Sequence, residues 1–178
     1  ALLQVLAGAP RTMRRALAAA ALVGAGVLAF GAVDWTLDAT SRNEFCYSCH
    51  SHDAFIRPEY EASSHFRSAS GVRAECADCH LPHDNVLETI GAKMVASVDV
   101  VHEWRGTLST REKYESRRAV LAARVWAQFE ADDSRFCRGC HVADAMVATA
   151  QSKAAATMHG RARERGQTCI ACHKGIVH

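Results

Sequence analysis

The sequence predicts a mainly α fold: one apolar N-terminal helix, then a small helix-and-loop domain built from two repeats, with little or no sheet. Three observations predict it. Residues 16–33, "ALAAAALVGAGVLAFGAV", carry no charge. The rest of the chain holds four Cys-x-x-Cys-His motifs in two similar arrangements. Runs of β-branched and aromatic residues are scarce, and much of the 49% hydrophobic content is alanine.

The first element is the apolar stretch. At the standard rise it makes about 27 Å of helix, near the lower limit for a membrane span. Arg11, Arg14 and Arg15 precede it, and Asp34 and Trp35 follow. Positive residues stay on the cytoplasmic side and tryptophan favours the interface. The expectation is a single-pass protein of the bacterial inner membrane, N-terminus cytoplasmic and the remainder periplasmic. A cleaved secretory signal is the alternative, since "AFG" before Ala32 reads as a small-residue processing site. Both send the rest of the chain across the membrane. The chain opens at Ala1, so a short upstream piece is expected.

The 178 residues carry a net charge of +2, too weak a field to suggest a nucleic-acid partner. Eight cysteines and ten histidines are the outliers. The cysteines fall at Cys46/Cys49, Cys76/Cys79, Cys137/Cys140 and Cys169/Cys172, followed at once by His50, His80, His141 and His173. Cys-x-x-Cys-His is the attachment signature of c-type haem: two thiols bind the macrocycle and the adjacent histidine ligates iron. Zinc sites use Cys-x-x-Cys but do not require histidine after every pair. A thioredoxin-like dithiol needs one such pair within a βαβ pattern that is missing here. Disulfides between cysteines this close would be strained and staple little. Four covalently bound haems are therefore expected, filling the space an ordinary core would occupy.

The motifs form an internal repeat. His65 lies between the first and second, and His159 between the third and fourth. His83 and His178 follow the second and fourth. Between the halves, residues 84–104 place Val86, Leu87, Ile90, Met94, Val98, Val101 and Trp104 on one helical stripe, with Asp84 as N-cap. Residues 110–130 form a second helix, with Ser109 opening a capping box in "STRE" and Tyr114, Leu121, Val125 and Phe129 on its buried face. Asp34 to Arg42 forms a polar link, and Pro58 and Gly71 mark loops. The expected organisation is residues 1–38 for tail and anchor, 39–108 for the first dihaem module, 109–136 for the connecting helix and 137–178 for the second module.

The apolar helix, the four motifs and the blocks "SGVRAECADCHLPHD", "DDSRFCRGCH" and "TCIACHKGIVH" resemble the NapC/NirT family of membrane-anchored quinol dehydrogenases over nearly the whole chain. The resemblance implies electrons taken from the membrane quinone pool and passed to a periplasmic reductase. It implies distal ligands at His65 for the fourth haem, His178 for the third and His159 for the second. The family's first motif commonly continues Cys-x-x-Cys-His-x-Met, and that methionine can ligate the first haem. Here the position is His52, expected as an axial ligand that lowers the potential of its haem relative to methionine. The alternative is a solvent-facing loop histidine. His83 and His102 compete for any iron still lacking a ligand. His83 could instead cap the helix near Asp84, and His102 could be a polar neighbour of Trp104.

Quinol oxidation releases protons that haem does not accept, so a base is needed near the first haem. Asp99, His102 and Glu103 share one helical face, and Lys93 lies a turn and a half before it. The resemblance implies a quinol pocket lined by Lys93 and Asp99, with Glu103 as a further candidate. Solvated helix charges are the plain alternative. Three other functions fit parts of the pattern: the same architecture run from a periplasmic oxidase to quinone, a haem enzyme reducing a small oxyanion, and an anchored wire without a quinone site.

Overall fold

The computed structural model describes residues 10–178; the first nine residues of the expected tail lie outside it. The described residues form helices and turns with no strand. They divide after Thr40 into an N-terminal unit and a second unit, Ser41–His178.

The N-terminal unit is one helix, α1 (Arg11–Ala39). It is longer than the uncharged stretch and continues through Asp34 and Trp35. Its 29 residues span about 43 Å, against a hydrocarbon core of about 30 Å. It is long and apolar enough to cross a membrane. The Thr36 and Thr40 hydroxyls donate to the carbonyls of Ala32 and Thr36, each at 2.7 Å, so they stay satisfied within the helix.

The second unit opens with α2 (Asn43–Cys46), a π-helical turn His52–Ile56, α3 (Arg57–Ala62) and α4 (Cys76–His80). Pro58 does not mark a loop as expected. It occupies the first turn of α3, where its missing N–H costs nothing. Gly71 does mark one, at φ 78°.

Two long helices follow, α5 (Val86–Trp104) and α6 (Arg111–Ala131). Both N-caps fall one residue later than expected. Asn85, not Asp84, caps α5 by accepting from the Leu87 amide at 2.9 Å. Thr110, not Ser109, caps α6 by accepting from the Lys113 amide at 3.3 Å. Ser109 instead accepts from Lys113 Nζ at 3.0 Å. The chain then forms α7 (Arg135–Cys140), two 3₁₀ turns and α8 (Lys153–Glu164).

Protein packs against protein sparingly. Phe55, Tyr60, Ala77, Tyr114 and Ile170 are the buried hydrophobic residues among those described. Tyr114 of α6 stacks on Phe55 at 5.4 Å, and Arg118 grips Glu59 with two bonds of 2.9 and 2.6 Å. These contacts seat α6 on the first half. The stripe of α5 is not covered by protein: Leu87, Met94 and Trp104 are all exposed. Of the face expected to be buried on α6, Tyr114 is buried, Val125 and Phe129 are half-buried and Leu121 is exposed. A chain of this size normally buries a continuous core. This one does not close on its own side chains.

Candidate haem attachment sites

The second motif lies on α4 and the third begins within α7, while the first and fourth follow tight turns. In the third and fourth, the histidine amide donates to the carbonyl of the first cysteine, His141 to Cys137 at 2.8 Å and His173 to Cys169 at 3.0 Å. Positions i, i+3 and i+4 share one face of such a turn, so two thiols and an imidazole project together. All eight cysteines are free thiols, so none of the pairs is a disulfide. Among the described residues, no three His, Cys, Asp or Glu side chains converge on a bare metal ion. The thiols are therefore available for thioether bonds.

The thiols are not equally enclosed. Cys46, Cys49, Cys76, Cys79, Cys137 and Cys169 are half-buried, whereas Cys140 and Cys172 are exposed. Cys172 lies on the fourth motif turn, its amide donating to the Cys169 carbonyl at 3.2 Å, and all of residues 171–176 are exposed.

The two halves share a hydrogen bond that the spacing of motifs alone does not reveal. Asn43, three residues before Cys46, accepts from the Cys76 amide at 2.8 Å. Ser134, three residues before Cys137, accepts from the Ile170 amide at 3.2 Å, one residue past Cys169. In each half a polar side chain ahead of the first motif grips the start of the second. The sequence carries a signal for this, Asn-x-Phe-Cys against Ser-x-Phe-Cys, but the shared role belongs to two different residue types. Ser134 has no exposed surface and sits at φ 54°, a left-handed conformation.

The thiols follow one another in chain order. The Cys46 and Cys76 thiols are close enough to shift each other, Cys46 downward and Cys76 upward. Burial pushes the Cys79 thiol up to about 11, with Cys137 and Cys140 within electrostatic reach. Cys137 is raised by burial and then by Cys169. The motifs therefore adjoin first to second, second to third and third to fourth.

Three motif histidines face a second imidazole. Ring centroids are 6.2 Å apart for His65 and His141, 5.8 Å for His80 and His178, and 6.0 Å for His159 and His173. Two imidazoles on opposite sides of one metal ion have centroids about 6 Å apart, each bond being about 2 Å and each ring centre about 1 Å beyond its nitrogen. Their planes can take any angle about that axis. The residues therefore fit an axially ligated haem at these three motifs. His80 keeps an accessible surface although protein atoms crowd around it. Burial, then His178 and His52, pulls its imidazole down to about 4. His65 is lowered by burial and then by His141.

The partners differ from those expected. His65 faces the third motif rather than the fourth. His178 faces the second rather than the third, and His159 the fourth rather than the second. The repeat invited a transposed pairing. In the fold, the second and third motif turns pack side by side, and His159 on α8 reaches its own half. Gln151 is a residue that sequence reasoning missed: its Oε1 lies 2.7 Å from His159 Nδ1. An Nδ1–H donated there leaves Nε2 for a metal.

The first motif is arranged differently. His50 meets the edge of Phe55 at 5.7 Å instead of a second imidazole. His52 opens the π-helical turn, a distortion that recurs at functional sites. It is half-buried rather than solvent-facing, and its Nδ1 is buried without a hydrogen-bond partner. Between them, Ser51 is 2% exposed and donates twice to Glu103 of α5, from its amide to Oε1 at 2.9 Å and from Oγ to Oε2 at 2.6 Å. Burial raises the Glu103 carboxyl, but the Ser51 bonds, with His52 and His50 nearby, outweigh it and hold the group below its usual range. Lys93 of α5 is half-buried within electrostatic reach of Cys46, and burial lowers its ammonium from the usual value.

The remaining candidates stand apart from the ring pairs. His83 Nε2 lies 3.1 Å from the Ala77 carbonyl, on the second motif turn, and so does not cap α5. His102 is exposed, with Nδ1 3.4 Å from Thr107 Oγ1. Asp99 is exposed, one turn before Glu103.

A helix fit to cross a membrane, joined to a strand-free unit of adjoining Cys-x-x-Cys-His turns with opposed imidazoles, defines an anchored electron-transfer cytochrome of the c type. The chain belongs to the NapC/NirT cytochrome c family, whose N-terminal region model matches residues 10–178. It is 46% identical to the cytochrome c-type protein TorY of Haemophilus influenzae over 93% of this chain and 45% of that protein. It is 45% identical to a putative tetraheme cytochrome-c type protein of Allochromatium vinosum, over 86% of this chain and 82% of that one. The denitrification system component NirT of Stutzerimonas stutzeri is 42% identical, over 86% and 76%. The chain thus spans less than half of the TorY relative and most of the other two. No solved structure matches.

Proposed function

We propose that this chain carries four haem c groups, oxidises membrane quinol and passes electrons one at a time to a periplasmic reductase. The observation that carries this reading is the approach of α5 to the first motif, through Lys93 beside Cys46 and Glu103 on Ser51. The four cysteine pairs would hold the groups, with His50, His80, His141 and His173 as proximal ligands. His178, His65 and His159 would be distal ligands at the second, third and fourth motifs. The haems, when bound, supply one-electron carriage.

The chain's own residues supply the rest. Only residues 40–45 separate the end of α1 from the first motif, so connectivity holds that motif near the membrane. Quinol oxidation releases protons as well as electrons. Lys93, its ammonium weakened by burial, and the exposed Asp99 one turn before Glu103 are the groups on α5 to receive them. The adjoining order of the motifs supports a row of carriers running from the first motif to the fourth. Two dihaem modules, 39–108 and 137–178, remain our division of the second unit. Arg11, Arg14 and Arg15 ahead of the apolar segment support a cytoplasmic N-terminus and a periplasmic second unit. The relative named as a denitrification system component supports a reductase as the partner.

The test uses the full chain purified in detergent. Ubiquinol and menaquinol analogues are added and the reduced α-band is followed. Reduction by either, blocked by a quinol-site inhibitor, is expected. Absence of reduction by both overturns the reading.

A further inference from the structure

We propose that Glu103 is a positioning residue for the first attachment site, holding the segment that bears His50 and His52 and fixing a negative charge beside both imidazoles. The inference rests on the proposed haem loading and assigns Glu103 a role other than proton acceptor.

Three observations carry it. Ser51 sits between His50 and His52, and is 2% exposed. Both of its donors are spent on one carboxylate, at 2.9 and 2.6 Å. That carboxylate comes from the last turn of α5, far along the chain, so the bond pair ties α5 to the first motif as a fixed unit. Glu103 is therefore the tether between the helix that carries Lys93 and the segment that carries the first axial ligand. A carboxylate engaged by two short charge-assisted bonds is poorly placed to accept a proton from a substrate. It is well placed to hold a loop and bias what the loop binds.

The bias has a definite sign. Negative charge beside an imidazole ligand makes it more electron-donating and stabilises the oxidised metal. The first haem should thus have a lower potential than the same site without the charge. The other three motifs are built differently: their imidazoles face each other, and the side chain on His159 is the neutral Gln151.

The experiment is a spectropotentiometric titration of the full, haem-loaded chain, with electron paramagnetic resonance at each step. Glu103→Gln keeps the shape and loses the charge. One of the four reduction steps is expected to move upward while three stay. Glu103→Ala loses charge and clamp, so the same step should move and its resonance should also change. Ser51→Ala loses one bond and keeps the charge, so its steps should stay near wild type. If Glu103→Gln moves no step, or moves all four together, the proposal is overturned. Should Glu103→Ala fail to assemble, Glu103→Gln and Ser51→Ala still decide the matter. Quinol turnover is not the readout, so a wild-type chain that fails to oxidise quinol would overturn the proposed function and leave this result standing.

Discussion

The imidazoles of His80 and His178 lie 5.8 Å apart, one on the second motif turn and the other at the end of the described chain. The second site is therefore built from both halves at once. Both of its imidazoles are lowered, with desolvation by neighbouring atoms as the first cause.

Removing His178 should leave one haem with a single protein ligand. In His178→Ala, about one quarter of the low-spin resonance should convert to high-spin, given one affected site of four. His178→Met should remain low-spin and show one raised potential. Low-spin intensity unchanged in His178→Ala would show that the close imidazoles do not share an iron.

Gln151 should act on the fourth site without touching it. Gln151→Leu removes the acceptor at His159 Nδ1, 2.7 Å away, and frees the ring to turn. The hold of His159 should weaken by roughly 10-fold, the lower end for loss of such a partner. Cyanide binding to the oxidised protein measures this directly. Affinity equal to wild type would limit Gln151 to packing.

Ser134 should matter to stability more than its size suggests. Ser134→Ala leaves the buried Ile170 amide without its acceptor, at a cost of about 1–3 kcal/mol. At φ 54° the serine already bears about 1 kcal/mol of strain, which alanine keeps and glycine relieves. Ser134→Gly should therefore melt above Ser134→Ala and below wild type. Calorimetry of the haem-loaded chain distinguishes the three.

Lys93 and Asp99 are the residues whose loss should slow quinol oxidation with all haems in place. Loss of a positioned proton acceptor commonly costs roughly 10²-fold in rate. Lys93→Gln and Asp99→Asn should each show slower quinol-driven reduction in stopped flow, with an unchanged haem spectrum. A rate equal to wild type in both would leave them as helix charges.

Much of the fold is legible in the sequence. The four attachment motifs, the apolar helix and the long pair α5 and α6 are local patterns that a few consecutive turns of chain express. Cap positions read one residue early, because Asp84 and Ser109 suit an N-cap as well as Asn85 and Thr110 do. Imidazole pairing is not legible from spacing, since it depends on how the second and third motif turns pack across the halves. The exposure of Cys172 is equally hidden, because its motif spells the same letters as the enclosed ones. The equivalence of Asn43 and Ser134 escapes notice because a carbonyl and a hydroxyl oxygen do the same job. Glu103 looks like one member of a charged face until Ser51 is seen beneath it.

The shortage of buried apolar side chains has a consequence for how the protein comes into being. The five such residues among those described cannot drive collapse of so long a chain, so little persistent tertiary structure should precede the sewing-on of its prosthetic groups. The maturation machinery would then meet an extended substrate with every thiol in reach. Cells that lack that machinery should accumulate no misassembled reservoir, because proteases would clear the loose chain first.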